Sequence, residues 1–310
     1  MFEYNITKKH YHTLDYYLKS KYNKKVFKVP LNASFTCPNR DGTKGVGGCI
    51  FCSAVGSGDF AGNPSDSLEN QFNKVRERIN QKWPDAYNIV YFQAFSNTYG
   101  SIEKLKETFE PFINKENVIG MSIATRCDCI NQEIVDYLKT LKVHFKEFWV
   151  ELGLQSANSK TMKLLNLGYT YKEFENAVKM LSKAGIDVII HIIDGLPYET
   201  KQDQINTIKK INKLNFKGLK IHVLNILNNT NIAKMYLSNQ FVPISEKEFI
   251  ETVILQLSHL KDNVVIHRIG ADSKIDDLLA PSWVSKKMKI VDKIDVLMDE
   301  NDIYQGDNYK

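Results

Sequence analysis

Residues 37–52 read Cys37-Pro-Asn-Arg-Asp-Gly-Thr-Lys-Gly-Val-Gly-Gly-Cys49-Ile-Phe-Cys52, and this stretch decides the fold. Its last two cysteines have the two-residue gap that lets thiolates converge on one metal centre, and Cys37 supplies a third. Four glycines between them let the backbone wrap closely around a bulky ligand. A structural zinc site normally takes four ligands, whereas an iron–sulfur cluster held by three cysteines keeps one iron open. The stretch therefore predicts a cluster held by Cys37, Cys49 and Cys52, with a zinc ribbon or a chance group of structural thiols as alternatives.

The composition is that of an ordinary globular protein and argues against several classes. The 310 residues are 43% hydrophobic and 25% charged, and the net charge of +5 is compatible with a polyanionic partner. An odd number of cysteines, five, argues against a secreted disulfide framework. The N-terminus shows no signal-peptide pattern, and no apolar run is long enough to cross a bilayer. We therefore expect a cytoplasmic protein without a membrane association.

Apolar runs and amphipathic segments alternate along the chain. Strands are predicted at 26–31, 88–92, 118–123, 148–152, 188–193 and 219–224, with helices between them. This alternation predicts right-handed βαβ units and a parallel sheet. Periodicity alone leaves open whether the six strands form an open doubly wound sheet or a partial barrel. A short extra strand is predicted at 264–267 and a last helix at 282–298.

Polar side chains follow the predicted strands where they end. In a βα barrel these carboxyl ends are where the chemistry collects. Each residue taken alone is as consistent with a helix cap or a solvated loop, but five strands show the same pattern, which predicts a polar site. The set is Gln93, Ser96, Asn97, Thr98, Thr125, Arg126, Asp128, Glu151, Gln155, Ser156, His191, Asp194, His222 and Asn225.

Residues 1–25 are rich in tyrosine and lysine. Basic residues interleaved with aromatics can bind single-stranded nucleic acid through charge and stacking. The alternative, which we favour slightly, is a short helix that covers the bottom of a barrel with Leu14, Tyr17 and Leu18 on its inner face.

The cysteine stretch resembles the cluster motif of radical S-adenosylmethionine (SAM) enzymes. In the commonest form of that motif three residues separate the first two cysteines, whereas eleven separate Cys37 from Cys49. The longer loop, with Cys-Pro-Asn-Arg-Asp-Gly and Gly-Gly-Cys-Ile-Phe-Cys, closely resembles the YhcC-like branch, a relative of the elongator catalytic subunit. The resemblance extends over nearly the whole chain.

This resemblance implies an α/β fold of radical SAM type with the cluster in the loop after strand one. The fold is a six-stranded parallel (β/α)6 partial TIM-type barrel with short N- and C-terminal extensions. We expect an extension at 1–25, a core domain at 26–262 and a C-terminal extension at 263–310 that packs on the core.

The resemblance also implies a set of SAM contacts. The strand-four segment resembles one that contacts the SAM ribose, and the turn after strand five resembles one that packs beside the adenine. The implied contacts are Thr125, Arg126, Glu151, Gln155, Ser156 and Asp194. Many relatives carry Gly-Gly-Glu after strand two to hold the SAM amino group, but residues 93–97 read Gln-Ala-Phe-Ser-Asn. That role therefore falls to Ser96, Asn97 or backbone carbonyls.

Two further cysteines, Cys127 and Cys129, lie on one predicted loop. They could contribute to a second cluster, but two thiolates are too few for one, and ordinary thiols are the favoured interpretation.

The activity implied by the resemblance is radical chemistry. A 4Fe–4S cluster reduced by a donor such as flavodoxin or ferredoxin cleaves SAM to methionine and a 5′-deoxyadenosyl radical. The elongator relatives act on the wobble uridine of transfer RNA (tRNA), so tRNA is the expected substrate, with its uridine side chain as the target. A radical SAM enzyme acting on a small molecule or protein, and a zinc-stabilised RNA-binding module, remain the alternatives.

Overall fold

The computed structural model describes residues 4, 8–54, 56, 61–270 and 275–309. The α-helices are α1 (Leu14–Tyr22), α2 (Leu68–Asn80), α3 (Ile102–Phe109), α4 (Gln132–Lys142), α5 (Ser159–Leu164), α6 (Tyr171–Lys183), α7 (Lys201–Ile211), α8 (Asn231–Leu237), α9 (Glu246–His259) and α10 (Lys287–Glu300). The strands are β1 (Val26–Leu31), β2 (Tyr87–Phe92), β3 (Val118–Thr125), β4 (Glu147–Gln155), β5 (Asp187–Asp194), β6 (Gly218–Val223), β7 (Ile226–Leu227), β8 (Val265–Ile269) and β9 (Leu278–Ala280).

The main sheet of the described residues has seven strands rather than the six predicted. Its order is β1-β2-β3-β4-β5-β6-β8, and every neighbouring pair is parallel. The short strand predicted at 264–267 is the seventh, because its buried Val265 and Ile266 continue the sheet beyond β6. The predicted C-terminal segment thus supplies a strand to the core. Strands β7 and β9 form a separate antiparallel pair.

The sheet is curled, so that side chains from distant strands meet inside it. Lys28 on the edge strand β1 places its Nζ 2.6 Å from Glu151 Oε1 on β4. The same Nζ lies 3.5 Å from His267 Nδ1 on β8, the opposite edge. Because flat sheets keep their edge strands far apart, these contacts require the partial barrel that the resemblance implies.

Local sequence explains where several helices begin. Capping boxes start α6 at Thr170 and α9 at Ser245, each with a glutamate three residues later that bonds back to the cap. A third capping box, at Thr200 with Asp203, starts α7. These caps fix where the loops end that lead from the strands into the helices, at the carboxyl-terminal face of the barrel.

Helix α1 covers the amino-terminal end of the barrel, which supports the favoured interpretation of residues 1–25. Leu18 packs with Ile89, Trp149 and Ile189 in a small cluster at that end. Residues 1–3 and 5–7 of the predicted extension lie outside the described residues.

In the part of the chain that the structure describes, no helix combines the length and the apolar character needed to span a membrane.

Candidate functional site

One cavity of about 280 Å³ opens where the loops after the strands converge. One part of its lining is the cysteine loop, which follows β1 at the carboxyl end of the sheet. The rest comes from strand ends and from side chains inside the barrel. These include Tyr91, Gln93, Phe95, Ser96, Thr125, Arg126, Glu151, Gln155, Tyr169, His191, Lys220, His222, Asn225 and Arg268.

Cys37, Cys49 and Cys52 are free thiols that line this cavity together. The turn between the last two closes with a 3.0 Å hydrogen bond from the Cys52 N–H to the Cys49 carbonyl. Burial raises the pKa of Cys49 to about 12, and the neighbouring thiolate charges of Cys52 and Cys37 contribute to the rise. The three sulfurs therefore lie near enough to influence one another's ionisation.

Arg40, inside the cysteine stretch, fastens the loop around these thiols. Its guanidinium donates to the carbonyls of Cys52, Ser53 and Ala54 and lies over the Phe95 ring at 5.4 Å from the centroid. Gly48 has φ +76°, and a Cβ there would stand 3.0 Å from Arg40 Nε. A side chain at Gly48 would thus be both strained and crowded, which accounts for one of the four glycines.

Polar donors aim at the sulfur of Cys49. Asn39 Nδ2 lies 3.6 Å from the Cys49 Sγ, and Arg126 Nη1 lies 4.0 Å from it. Donors of this kind stabilise thiolate sulfur and tune iron–sulfur clusters. Three thiols with such support fit a cluster that takes one cysteine at each of three irons.

Among the described residues, no three His, Cys, Asp or Glu side chains are arranged to hold a single metal ion. A zinc site needs its thiolates around one point with Zn–S bonds of about 2.3 Å. Cys37, Cys49 and Cys52 together are one ligand short of the four that close a structural zinc site.

Five of the eight predicted SAM contacts line the cavity: Ser96, Thr125, Arg126, Glu151 and Gln155. Thr125 shares a 2.7 Å hydroxyl hydrogen bond with Thr98, which fixes the end of β3.

Arg126 is held tightly by its neighbours. It binds Asp128 through two hydrogen bonds of 2.9 and 2.8 Å, donates to the Leu167 carbonyl and stacks over Tyr169. The paired carboxylate raises the pKa of Arg126 despite its burial. Arg126 therefore stays charged beside Cys49, with Asp128 as its salt-bridge partner.

The other three predicted contacts, Asn97, Ser156 and Asp194, do not line the cavity. Asn97 donates to the carbonyls of residues 92, 94 and 124, which locks the loop after β2. Ser156 hydrogen-bonds to Glu199 outside the cavity. Their positions suit support of the loops rather than contact with a ligand.

Asp194 faces outward from β5 and meets Gln256 on α9. Gln256 Nε2 donates to Asp194 Oδ1 at 2.7 Å, while Asp194 Oδ2 and Gln256 Oε1 are both buried without a partner in the described residues. Burial raises the pKa of Asp194 to about 8. A protonated Asp194 would use its hydroxyl to satisfy the glutamine oxygen, so the neutral acid fits this pair.

Glu151 has a different environment from the one predicted. Its Oε1 accepts from Lys28 and Ser122 at 2.6 Å each, and its Oε2 accepts from His191 at 2.7 Å and from Lys220. A carboxylate offers about four lone-pair sites, and here all are used. The side chain is thus the centre of a buried polar network in the cavity wall, and its predicted contact with the SAM ribose stays a prediction.

Sequence reasoning missed the lysines of this network and Arg268. Lys28 lies in β1, where it alternates with the apolar Phe27 and Val29. Burial lowers the pKa of Lys220 to about 7 and that of His191 to about 4, so the imidazole is neutral. A charged residue in an otherwise apolar strand was the available signal for Lys28 and Lys220.

Cys127 and Cys129 lie in a buried 3-10 turn after β3. Burial is the main cause that raises the pKa of both thiols, to about 12 for Cys129. They are protonated thiols at neutral pH, which agrees with the favoured structural role.

Comparison with known families gives matches over most of the chain. The profile described as the Radical SAM superfamily matches residues 35–211, and the Radical_SAM C-terminal domain matches residues 216–300. The protein YtqA of Bacillus subtilis (strain 168) is 41% identical over 98% of this chain and 94% of its own length. The protein YhcC of Escherichia coli (strain K12) is 29% identical over 92% of this chain and 91% of its own length.

One further relative is more distant, and one solved structure has a similar fold. A tRNA uridine(34) acetyltransferase of Methanocaldococcus infernus is 27% identical over 68% of this chain but only 39% of its own length. The structure of Elp3 from the same archaeon, lacking residues 1–46, superposes with a TM-score of 0.67 at 17% identity. That superposition covers 91% of this chain and 64% of Elp3, and it shows that the two share a fold.

Proposed function

The chain belongs to the radical SAM superfamily, in its YhcC-like branch, and on that premise we propose that it modifies the side chain of a wobble uridine in tRNA. As a member of this superfamily it binds a 4Fe–4S cluster and SAM. The observation that carries the proposal is that three thiols and a cation-rich wall line the same cavity.

Cys37, Cys49 and Cys52 would hold the cluster, with the fourth iron left for SAM. When bound, the cluster supplies one electron that cleaves SAM into methionine and a 5′-deoxyadenosyl radical able to take hydrogen from a substrate. Arg40 keeps the loop closed around the thiols, and Asn39 and Arg126 donate towards the Cys49 sulfur. The electron would come from a small donor protein such as flavodoxin or ferredoxin.

The eight predicted SAM contacts divide into three groups in this proposal. Ser96, Thr125 and Gln155 are the candidates for direct contact, because they lie in the cavity wall near the cysteine loop. Arg126 orients the site through Cys49, and Glu151 organises the polar network in the cavity wall. Asn97, Ser156 and Asp194 hold the loops and strands that carry these groups.

The tRNA substrate is supported by likeness and by charge. A relative over about two thirds of the chain is named for uridine 34 of tRNA, and the net charge of +5 suits a polyanion. A wobble base can leave the anticodon loop at little unstacking cost and enter a cavity. The target would be a side chain already installed on the uridine, such as a carboxymethylaminomethyl group. The protein would act in the cytoplasm.

The test compares wild type with Cys49→Ala and Cys129→Ala in a strain that lacks the gene. Anaerobically purified wild type and Cys129→Ala should carry about four irons per chain with matching sulfide, and Cys49→Ala should carry almost none. Zinc without sulfide in the wild type would refute the cluster.

The second readout is mass spectrometry of tRNA nucleosides from the same strains. The deletion strain should accumulate an earlier form of the wobble-uridine side chain, and Cys129→Ala but not Cys49→Ala should restore the product. An identical nucleoside profile with and without the gene would refute the tRNA substrate and favour a small molecule or a protein.

A further inference from the structure

Among the described residues, three cations inside the barrel, Lys28, Lys220 and Arg268, face one carboxylate, that of Glu151. Lys28 and Lys220 both bind Glu151. Arg268 also lines the cavity, yet within residues 8–54, 61–270 and 275–309 no side chain or carbonyl accepts a hydrogen bond from it. An arginine remains protonated at any physiological pH. Its guanidinium therefore presents a positive charge to the cavity that no carboxylate of the described residues pairs with.

A defect in the sheet places Arg268 beside Lys220. In the pairing of β6 with β8, Leu219 lies opposite Ile266 and Lys220 lies opposite Arg268, so that His267 is an extra residue. Such bulges re-aim side chains and are frequent next to active sites. His267 turns towards Lys28 and the Trp149 ring, and Arg268 follows it on the cavity side.

The charges near Arg268 favour a ligand with a single negative charge. Counting only the described residues, Lys28, Lys220 and Arg268 against Glu151 give a local excess of one to two positive charges, because burial lowers the pKa of Lys220 to about 7. His191 and His222, which face the same space, have pKa values lowered by burial and stay neutral. The planar guanidinium matches the two oxygens of a carboxylate.

We propose that Arg268, with Lys220 beside it, binds a carboxylate group of the second substrate at the inner wall of the cavity. The inference rests on the proposed function, since it names a group on that uridine side chain. Binding one end of the side chain at β6 and β8 would hold its reacting carbon towards the cysteine loop. Arg268 is then a specificity-determining residue, because a substrate without the carboxylate leaves the guanidinium unpaired.

The test uses the cluster-loaded enzyme with Arg268→Gln and Arg268→Lys, and Arg78→Gln as a control that removes the same charge from the exposed face of α2. One substrate is tRNA whose wobble uridine carries a carboxymethylaminomethyl group, and the other carries the corresponding amide. We expect Arg268→Gln to lower kcat/KM for the carboxylate about 100-fold. Arg268→Lys should retain part of the activity, and Arg78→Gln should match wild type.

The amide substrate distinguishes recognition from a general loss of structure. Wild type should disfavour the amide about 100-fold, and Arg268→Gln should treat both substrates alike. Affinity for SAM and 5′-deoxyadenosine release without tRNA should be unchanged in all variants. Equal turnover of both substrates by wild type, or weakened SAM binding in Arg268→Gln, would overturn the proposal, the latter because the guanidinium would then serve SAM.

A measurement without turnover covers the case in which tRNA is not the substrate. Phenylglyoxal labels arginines, and the rate at Arg268 can be followed by peptide mass spectrometry in the SAM-bound protein. The free carboxymethylaminomethyluridine nucleoside should slow this labelling, and its amide should not. Equal rates with both nucleosides would overturn the carboxylate site, whereas an unchanged nucleoside profile in the deletion strain refutes only the tRNA substrate.

Discussion

Two glutamates on β4, four residues apart, give the barrel two very different ends. Glu147 is 2% exposed and Glu151 is 1% exposed. Glu147 lies at the amino-terminal end under α1, where it accepts hydrogen bonds from Tyr17, Lys21 and Tyr22. One lysine balances its charge, and helix α1 closes that end of the barrel.

Glu151 lies deeper in the barrel and faces the cavity. Two lysines, a serine hydroxyl and a histidine from four other strands surround it. The two lysines carry more positive charge than Glu151 balances within the described residues, and Lys220 faces the cavity. Both buried carboxylates must be paired. At Glu147 the pairing closes the barrel, whereas at Glu151 it creates an electropositive wall that can bind a ligand.

The largest difference between the two ends should appear on removing each carboxylate. Glu151→Gln leaves two buried ammonium groups without a counter-charge, and we expect the free energy of unfolding to fall by about 3–5 kcal/mol. Glu147→Gln should lower it by only about 1 kcal/mol, because the Lys21 side chain is 45% exposed and can be rehydrated. Urea denaturation of both variants measures the difference, and equal losses would show that the two networks are equivalent.

A second difference concerns pH and involves Asp194, on the outer face of β5. Its pKa of about 8 means that the folded protein keeps a proton that the unfolded chain releases near pH 4. The free energy of unfolding should therefore fall by about 1.4 kcal/mol per pH unit as pH rises from 4 towards 8.

Asp194→Asn should remove this slope, since an asparagine amide can donate to Gln256 Oε1 at every pH. Denaturation of wild type and variant at pH 6 and pH 8 checks this, and the difference between their slopes isolates Asp194 from other titrating groups. Parallel slopes would mean that Asp194 is ionised in the folded protein and that its pair with Gln256 is an ordinary one.

The sequence predicted the elements of the barrel better than the contacts inside it. Strand positions and the caps at Thr170 and Ser245 follow from local patterns, and the structure has them. The network at Glu151 does not follow from any local pattern, because its partners come from four strands that are distant in sequence. The seventh strand was assigned to an extension because a five-residue run shows too little periodicity to reveal its partner.

The alternation of side chains in a strand could have corrected part of the site. Glu151, Gly153 and Gln155 alternate along the strand, share one face and line the cavity. Ser156 follows Gln155 directly and does not line the cavity. His191 and Asp194 are three residues apart on β5, so they cannot face the same side. Proximity to a strand end predicts which loop a residue lies on, but the period of two decides whether it reaches the ligand.

The smallest predicted effect tests which end of the barrel tRNA approaches. Lys24 and Lys44 are both exposed lysines. Lys24 lies beside α1 with its Nζ 5.1 Å from the Tyr87 ring centroid, and Lys44 lies in the cysteine loop 3.3 Å from Asp128.

If tRNA reaches the cavity from the carboxyl ends of the strands, Lys44→Gln should weaken binding a few-fold and reduce the salt slope by about one. Lys24→Gln should leave both the affinity and the slope unchanged, because α1 closes the opposite end. Filter binding of tRNA over a range of salt concentrations measures both quantities. Weaker binding by Lys24→Gln alone would assign RNA recognition to the tyrosine- and lysine-rich extension. The fold disfavours this alternative, because the packing of Leu18 and the hydrogen bond from Tyr22 to Glu147 hold α1 against the closed end of the barrel.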